Sequence, residues 1–456
     1  MKGPVYLALW LLLATGWAAA AEQKGPADNL QAIATKFVDL LAAGDFAMAV
    51  KRFDPAMSAA LPADKLAEVW KGLNAQAGPF QKRTGARAAR ESKYQVIFVA
   101  CRFEKTVLEA KIVFDESQRI AGLFFVPPPS ASEYRPPGYA RPERYTDAEV
   151  QVGNGDWTLP GTLSIPAGPG PVPGIVLVHG SGPLDRDETV GPNRPFRDLA
   201  TGLASLGVAV LRYDKRTLVY GARLQAERDR LTLHEETVAD AVAATRLLRR
   251  SRGVDGARVF VLGHSLGGVA LPRIAALEPG IAGFVMLATP SRPLHESYRE
   301  QMAYLFALDG AVTQEERARL ESIRREVERV DALASAAAPG AGDAGDLTLG
   351  LGRAYWDDLR RHDAREAAAL SGPVLVMQGG RDYQVTGEDL EGWRRVLADR
   401  PGVAFKLYPS LNHLFMEGEG RSTPDEYQAA GHVAAAVIED LAAWLKGRPA
   451  VAPPRT

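Results

Sequence analysis

Five residues constrain this chain more than any others: Gly263-His264-Ser265-Leu266-Gly267. The apolar run Arg258-Val259-Phe260-Val261-Leu262 before them reads as a buried strand, and the residues after them open a helix. A strand that turns this sharply into a helix has no room for side chains at the flanking positions, and glycines stand there. The serine between them is forced into a strained conformation. Its hydroxyl is exposed at the helix start, where partial positive charge favours a developing anion. With 44 glycines in the chain, a chance Gly-x-Ser-x-Gly is common. A chance one between a buried strand and a helix is not, so Ser265 is the expected nucleophile.

A serine hydroxyl is a weak nucleophile without a base. A fold built on this strand–turn–helix arrangement predicts the chain order Ser, then acid, then His, each on a later strand end. The apolar strand Val374–Gln378 leads into Gly379-Gly380-Arg381-Asp382, and Val403–Tyr408 leads into Leu411-Asn412-His413. His413 is thus expected to take the Ser265 proton and return it to the leaving group, with Asp382 holding the imidazole tautomer. Asp363 and Asp389 compete for the acid role, but neither follows a strand end so directly. A tetrahedral intermediate also needs two N–H donors. One is expected from Leu266. The other is expected from Ser181, with Gly182 as the alternative, in His179-Gly180-Ser181-Gly182 after the strand Gly174–His179.

Other features get plainer readings. Asp185-Arg186-Asp187 and Asp214-Lys215-Arg216 follow strand ends on the same edge. That position favours function, but an ion-pair network bracing the loops is the favoured account. His264 reads as a packing residue. Cys101, the single cysteine, reads as a half-buried strand residue and rules out an internal disulfide framework. No H-E-x-x-H, paired cysteines, phosphate loop or dinucleotide fingerprint occurs, so no metal and no cofactor are expected. A formal net charge of −1 supplies no field to attract nucleic acid.

The 456 residues suffice for two domains. Lys2, the apolar run Val5 to Leu13 and the small residues Gly16 to Ala21 read as a signal peptide over 1–21, cleaved after Ala21. An uncleaved anchor is the alternative, because Pro4 to Ala21 approaches the minimum spanning length. Export implies a periplasmic or extracellular location. Residues 27–126 read as a small α+β domain: Leu30, Ile33, Phe37, Leu40 and Leu41 share a helical face, two further helices follow, then strands Tyr94–Glu104, Val107–Phe114 and Arg119–Val126. The proline-rich 127–141 reads as a stiff linker.

Residues 142–447 then open with a hairpin (Ala148–Val152, Thr158–Ile165) and alternate continuous apolar strands with helices at Phe196–Leu206, Leu233–Arg250 and Tyr427–Leu445. That alternation means a mostly parallel sheet covered on both faces, an α/β architecture. Residues 290–370 interrupt it with helical pattern only and read as a cap over the sheet's carboxyl edge.

Several stretches carry a resemblance: His179-Gly180-Ser181-Gly182-Pro183, Asn193-Arg194-Pro195-Phe196-Arg197-Asp198-Leu199-Ala200, Leu211-Arg212-Tyr213-Asp214-Lys215-Arg216-Thr217, Gly263 to Gly268 and Leu271-Pro272-Arg273-Ile274-Ala275. Here the second domain resembles the α/β-hydrolase superfamily, and more narrowly bacterial carboxylesterases with an N-terminal domain of unknown function. Pro272 departs from a regular helix and should kink it. The N-terminal block is similar in element order to NTF2-like or cystatin-like folds. The resemblance implies hydrolysis of short-chain acyl esters through Ser265, Asp382 and His413, with a small-molecule ester as partner. Serine aminopeptidases and acyl thioesterases are neighbouring alternatives, and a non-catalytic binding protein is the remote one. Transient contact with a membrane or the cell envelope, the oligomeric state and the role of the N-terminal domain stay open.

Overall fold

The computed structural model describes residues 27–448 apart from 92–93, 116, 127–133, 154, 228–229, 333–350 and 362. The expected signal peptide, the proline run 127–129 and the Ala/Gly-rich tract 334–347 lie outside the described residues. The chain divides into two compact units, Met1–Ala131 and Ser132–Thr456.

In the first unit, helices Ala27–Ala42 and Ala63–Ala77 accompany a four-stranded antiparallel sheet: β1 (Phe80–Glu91), β2 (Tyr94–Phe103), β3 (Val107–Phe114) and β4 (Ile120–Val126), paired in sequence order. Leu30, Phe37 and Leu41 of the first helix bury with Trp70 of the second against Phe103, Ile112 and Phe114 of the sheet. Three strands were expected, and β1 corrects that to four. Its Gln81-Lys82-Arg83-Thr84-Gly85 stretch is polar and exposed, and β1 pairs on one side only, so it lacks the apolar alternation of its neighbours. Cys101 is wholly buried, and burial pushes its thiol up to about 11, which suits packing rather than chemistry.

The second unit holds an eight-stranded sheet: β5 (Tyr145–Val152), β6 (Leu159–Pro166), β7 (Val172–Val178), β8 (Ala209–Tyr213), β9 (Val254–His264), β10 (Phe284–Leu287), β11 (Val374–Gly379) and β12 (Val403–Tyr408). The order is β12-β11-β10-β9-β7-β8-β6-β5, with β6 alone running against the rest. Alternate residues of β7 enter opposite cores. Val176 and Val178 pack with Ala241, Ala244 and Leu248 on one face; Ile175 and Leu177 pack with Leu199, Leu203 and Ile438 on the other. Burial on both faces is why β7 reads as an unbroken apolar run. β9 lies mid-sheet between β7 and β10, so the loops that follow β7, β9, β11 and β12 emerge on one edge.

Two helices differ from expectation. The one expected from Tyr427 begins at Ala435. Gly431 N–H donates to Asn193 Oδ1 (2.8 Å) and Val433 N–H to Asp198 Oδ2 (3.0 Å), so tertiary bonds replace helical ones over 429–434. The one expected from Leu233 starts as a π-turn, His234–Val238, before the α-helix Ala239–Arg249. The helix after the Ser265 turn breaks at Ala270 into Leu266–Val269 and Leu271–Leu277, where Pro272 removes an N–H.

Between β10 and β11 stand helices Leu294–Phe306, Gln314–Ala332 and Arg353–Arg361, with no strand among the described residues. Tyr304 of the first stacks on Tyr383, ring centroids 5.1 Å apart and interplanar angle 1°, and its hydroxyl donates to Ser422 O (2.8 Å). These contacts seat the insert on the loops after β11 and β12. Among the described residues no helix is long and apolar enough to cross a membrane.

Candidate active site

Ser265 has φ 52° and ψ −119°, a conformation that costs a non-glycine residue about 1–3 kcal/mol. The surroundings over-determine it. Ser265 N–H donates to Leu287 O (2.9 Å), tying the turn to the end of β10. A Cβ at Gly263 would overlap the Gly267 carbonyl, one at Gly267 would meet the Val178 and His179 carbonyls, and one at Gly268 would overlap Thr289. Gly180 brings the loop after β7 alongside, since a Cβ there would lie 3.3 Å from that of Ser265.

The loops after β11 and β12 meet beside this turn. His413 Nδ1 lies 2.7 Å from Asp382 Oδ2, both side chains being buried. Asp382 is fixed in turn: Oδ1 accepts Gln384 N–H (2.8 Å) and Val385 N–H (3.0 Å), and Oδ2 also accepts Gln378 Nε2 (3.2 Å). With its proton on Nδ1 facing the carboxylate, His413 keeps Nε2 free as a base. Gly379 and Gly380 make the approach feasible, because Cβ atoms there would strike the backbone of 409–412. Gly380 N–H donates to Tyr408 O (2.8 Å) and Arg381 N–H to Leu411 O (2.9 Å). The Ser265 hydroxyl makes no hydrogen bond among the described residues. His264, its chain neighbour, has its ring centroid 4.7 Å from that of His413. The competing acids are elsewhere: Asp363 caps the turn Ala364–Ala369, and Asp389 is buried against Arg292.

Among the described residues, the backbone N–H groups of Ser181, Gly182 and Leu266 donate no hydrogen bond, which leaves them free for an oxyanion. The charged motifs around them brace loops, as expected. Arg186 forks onto Asp214 (3.0 and 3.1 Å), Arg212 pairs with Asp187, and Arg216 with Asp240. Lys215 pairs with Glu236 (2.6 Å) and donates to Gly180 O (2.7 Å).

His264 does more than pack. Its Nδ1 is 3.0 Å from Glu188 Oε2, an ion-pair contact in which the N–H direction misses the carboxylate oxygen, and its Nε2 bonds His413 O (3.1 Å). Burial opposes charge on both partners. Their mutual attraction outweighs it, raising the His264 pKa and lowering that of Glu188. Glu188 was not legible as a site residue. It stands 76 positions before its partner, and only its left-handed φ of 52° sets it apart.

Comparison with known proteins follows the same division. A family model described as "Alpha/beta hydrolase family" matches residues 175–451, and one described as "Protein of unknown function (DUF3887)" matches 34–123. Esterase EstD of Thermotoga maritima is 38% identical over 411 residues, covering 90% of this chain and 93% of that protein. Among solved structures, Est1E from Butyrivibrio proteoclasticus is 18% identical with a TM-score of 0.41, over 65% of this chain and 98% of that one. Pyrococcus horikoshii acylaminoacyl peptidase is 13% identical with a TM-score of 0.44, over 83% and 57%.

Proposed function

The chain belongs to the alpha/beta hydrolase family and is a carboxylic ester hydrolase, and we propose that it is an exported serine esterase acting on short-chain acyl esters. The observation that carries the catalytic assignment is the buried 2.7 Å contact between His413 and Asp382 beside the strained turn at Ser265. In this reading Ser265 Oγ attacks the ester carbonyl carbon while its proton passes to His413 Nε2. The carbonyl oxygen becomes an oxyanion and accepts the N–H groups of Ser181 and Leu266. Collapse breaks the bond to the alkoxy oxygen, which takes the proton from His413 and leaves as an alcohol. Water, deprotonated by His413, then attacks the acyl-enzyme; the second collapse frees the acid and returns the proton to Ser265.

Export rests on the charged, apolar and small-residue succession of residues 1–21. Short acyl chains rest on the likeness of the motifs to bacterial carboxylesterases. The test is turnover of p-nitrophenyl esters from acetate upward, beside aminoacyl p-nitroanilides, with Ser265→Ala as control. Fast ester hydrolysis peaking at short chains, and lost in the variant, is expected. Preferential anilide cleavage would move the protein to the peptidases, and turnover surviving in the variant would remove Ser265 from the mechanism.

A further inference from the structure

The geometry points to Lys215 as a positioning residue that aims one donor of the oxyanion hole, an inference that rests on the esterase reading above. Gly180 C=O and Ser181 N–H belong to one peptide unit, which is trans. In a trans unit the carbonyl and the N–H point in opposite directions. Lys215 Nζ holds the Gly180 carbonyl oxygen at 2.7 Å. Fixing that carbonyl therefore fixes the heading of the Ser181 N–H, which has no other partner among the described residues. Gly182 N–H is also unpartnered, but no side chain grips the carbonyl of its peptide unit as tightly: Thr217 Oγ1 reaches the next carbonyl, of Gly182, at 3.3 Å.

The need for such a grip follows from the sequence. Gly180 sits against the nucleophile, where a Cβ would lie only 3.3 Å from that of Ser265. Glycine lets the adjoining peptide planes rotate at little steric cost. Both are held here by buried charge. Glu188 Oε1 accepts the Gly180 N–H (2.8 Å), and the Lys215 ammonium grips its C=O. Bonds to ionised groups are roughly twice as strong as neutral ones. Lys215 is 2% exposed, and its charge is balanced by Glu236, which also accepts the Tyr355 hydroxyl from the inserted helix Arg353–Arg361. A buried ion pair is often no more stabilising than apolar residues of the same size. The contact with Gly180 gives this one a reason to be there.

The test removes the charges together, so that neither is left unpaired: Lys215→Met with Glu236→Gln. The expected result is a fall in kcat of about 10–100-fold, short of the roughly 10²–10³-fold loss on deleting a donor outright. KM and the acidic limb of the pH profile should stay as in the wild type. Affinity for a trifluoromethyl ketone, whose adduct with Ser265 carries the oxyanion, should fall by the same factor as kcat/KM. Lys215→Gln with Glu236→Gln restores an N–H for the carbonyl and should recover part of kcat. An unchanged kcat per folded molecule, or a loss unmatched in ketone affinity, would overturn the role of Lys215. If the Met pair does not fold, Lys215→Gln with Glu236→Gln is measured against the wild type and should lower kcat several-fold at constant KM; no change there also overturns it. A wild type without ester turnover would instead overturn the esterase reading itself.

Discussion

Replacing Asp382 by Asn should leave the fold intact and silence the enzyme for a reason visible in its hydrogen bonds. Oδ1 accepts two backbone N–H groups, from Gln384 and Val385, at 2.8 and 3.0 Å. A carboxamide at this site must put its oxygen there, because its NH₂ would face two donors. The NH₂ is then forced into the Oδ2 position, 2.7 Å from His413 Nδ1 and 3.2 Å from Gln378 Nε2. An N–H donor opposite Nδ1 selects the tautomer with its proton on Nε2, which cannot accept one from Ser265. The wrong tautomer costs about 10⁴-fold in kcat in an arrangement of this kind, or about 5 kcal/mol of barrier. Steady-state p-nitrophenyl acetate hydrolysis from pH 5 to 9, with circular dichroism to confirm folding, measures it. A loss below about tenfold would refute the reasoning, since it would mean that the amide had flipped or that His413 keeps its tautomer without Asp382.

Two further outcomes follow from strain and burial. Ser265→Gly should be inactive yet more stable than wild type by about 1 kcal/mol in urea, because relief of about 1–3 kcal/mol of backbone strain exceeds the glycine entropy cost of about 0.5–1; Ser265→Ala keeps the strain and should show no gain. His179 is buried between Phe196 and Tyr213, and burial pushes its pKa down to about 4 from 6.5. The unfolded chain protonates this group first as pH falls, so its contribution is present above pH 6.5 and lost towards pH 4, about 3 kcal/mol in all at about 1.4 per pH unit. Thermal melts of His179→Phe should therefore lose less stability than wild type across that window; identical slopes would exclude the assignment.

The Ser265 turn was readable because its constraint is local: the contacts that demand Gly263, Gly267 and Gly268, backbone for the first two and the Thr289 side chain for the third, arise within one turn and its neighbouring strand ends. Asp382 was readable because it follows β11, a strand buried on both faces that writes an unbroken apolar run, and His413 because it follows the mostly apolar edge strand β12. β1 was not, since its polar, exposed stretch and single partner leave no periodic signature. The start of the last helix was missed for a different reason. Ala429 to Ala434 would suit a helix, but Asn193 and Asp198, more than 230 positions earlier, take up the N–H groups of Gly431 and Val433. Glu188 and Lys215 share that difficulty. What each does is decided by partners that only the finished sheet brings near, and nothing within a helical turn of either residue announces them.

The paired glycines at the end of β11 bear on how the site keeps its spacing. Backbone hydrogen bonds weld the Asp382 loop to the His413 loop at Gly380 and Arg381, and Arg381 adds a second fastening through Glu426, which Asn412 also reaches at 3.1 Å. The acid and the base thus share one frame. The hydrogen bond between His264 Nε2 and His413 O fastens the serine's turn to the same frame, and Ser265 N–H is bonded to the end of β10, the strand beside β11. Serine, imidazole and carboxylate are therefore spaced by a closed ring of short bonds, and changes in rate with temperature should track the barrier of the reaction rather than a drift in their spacing.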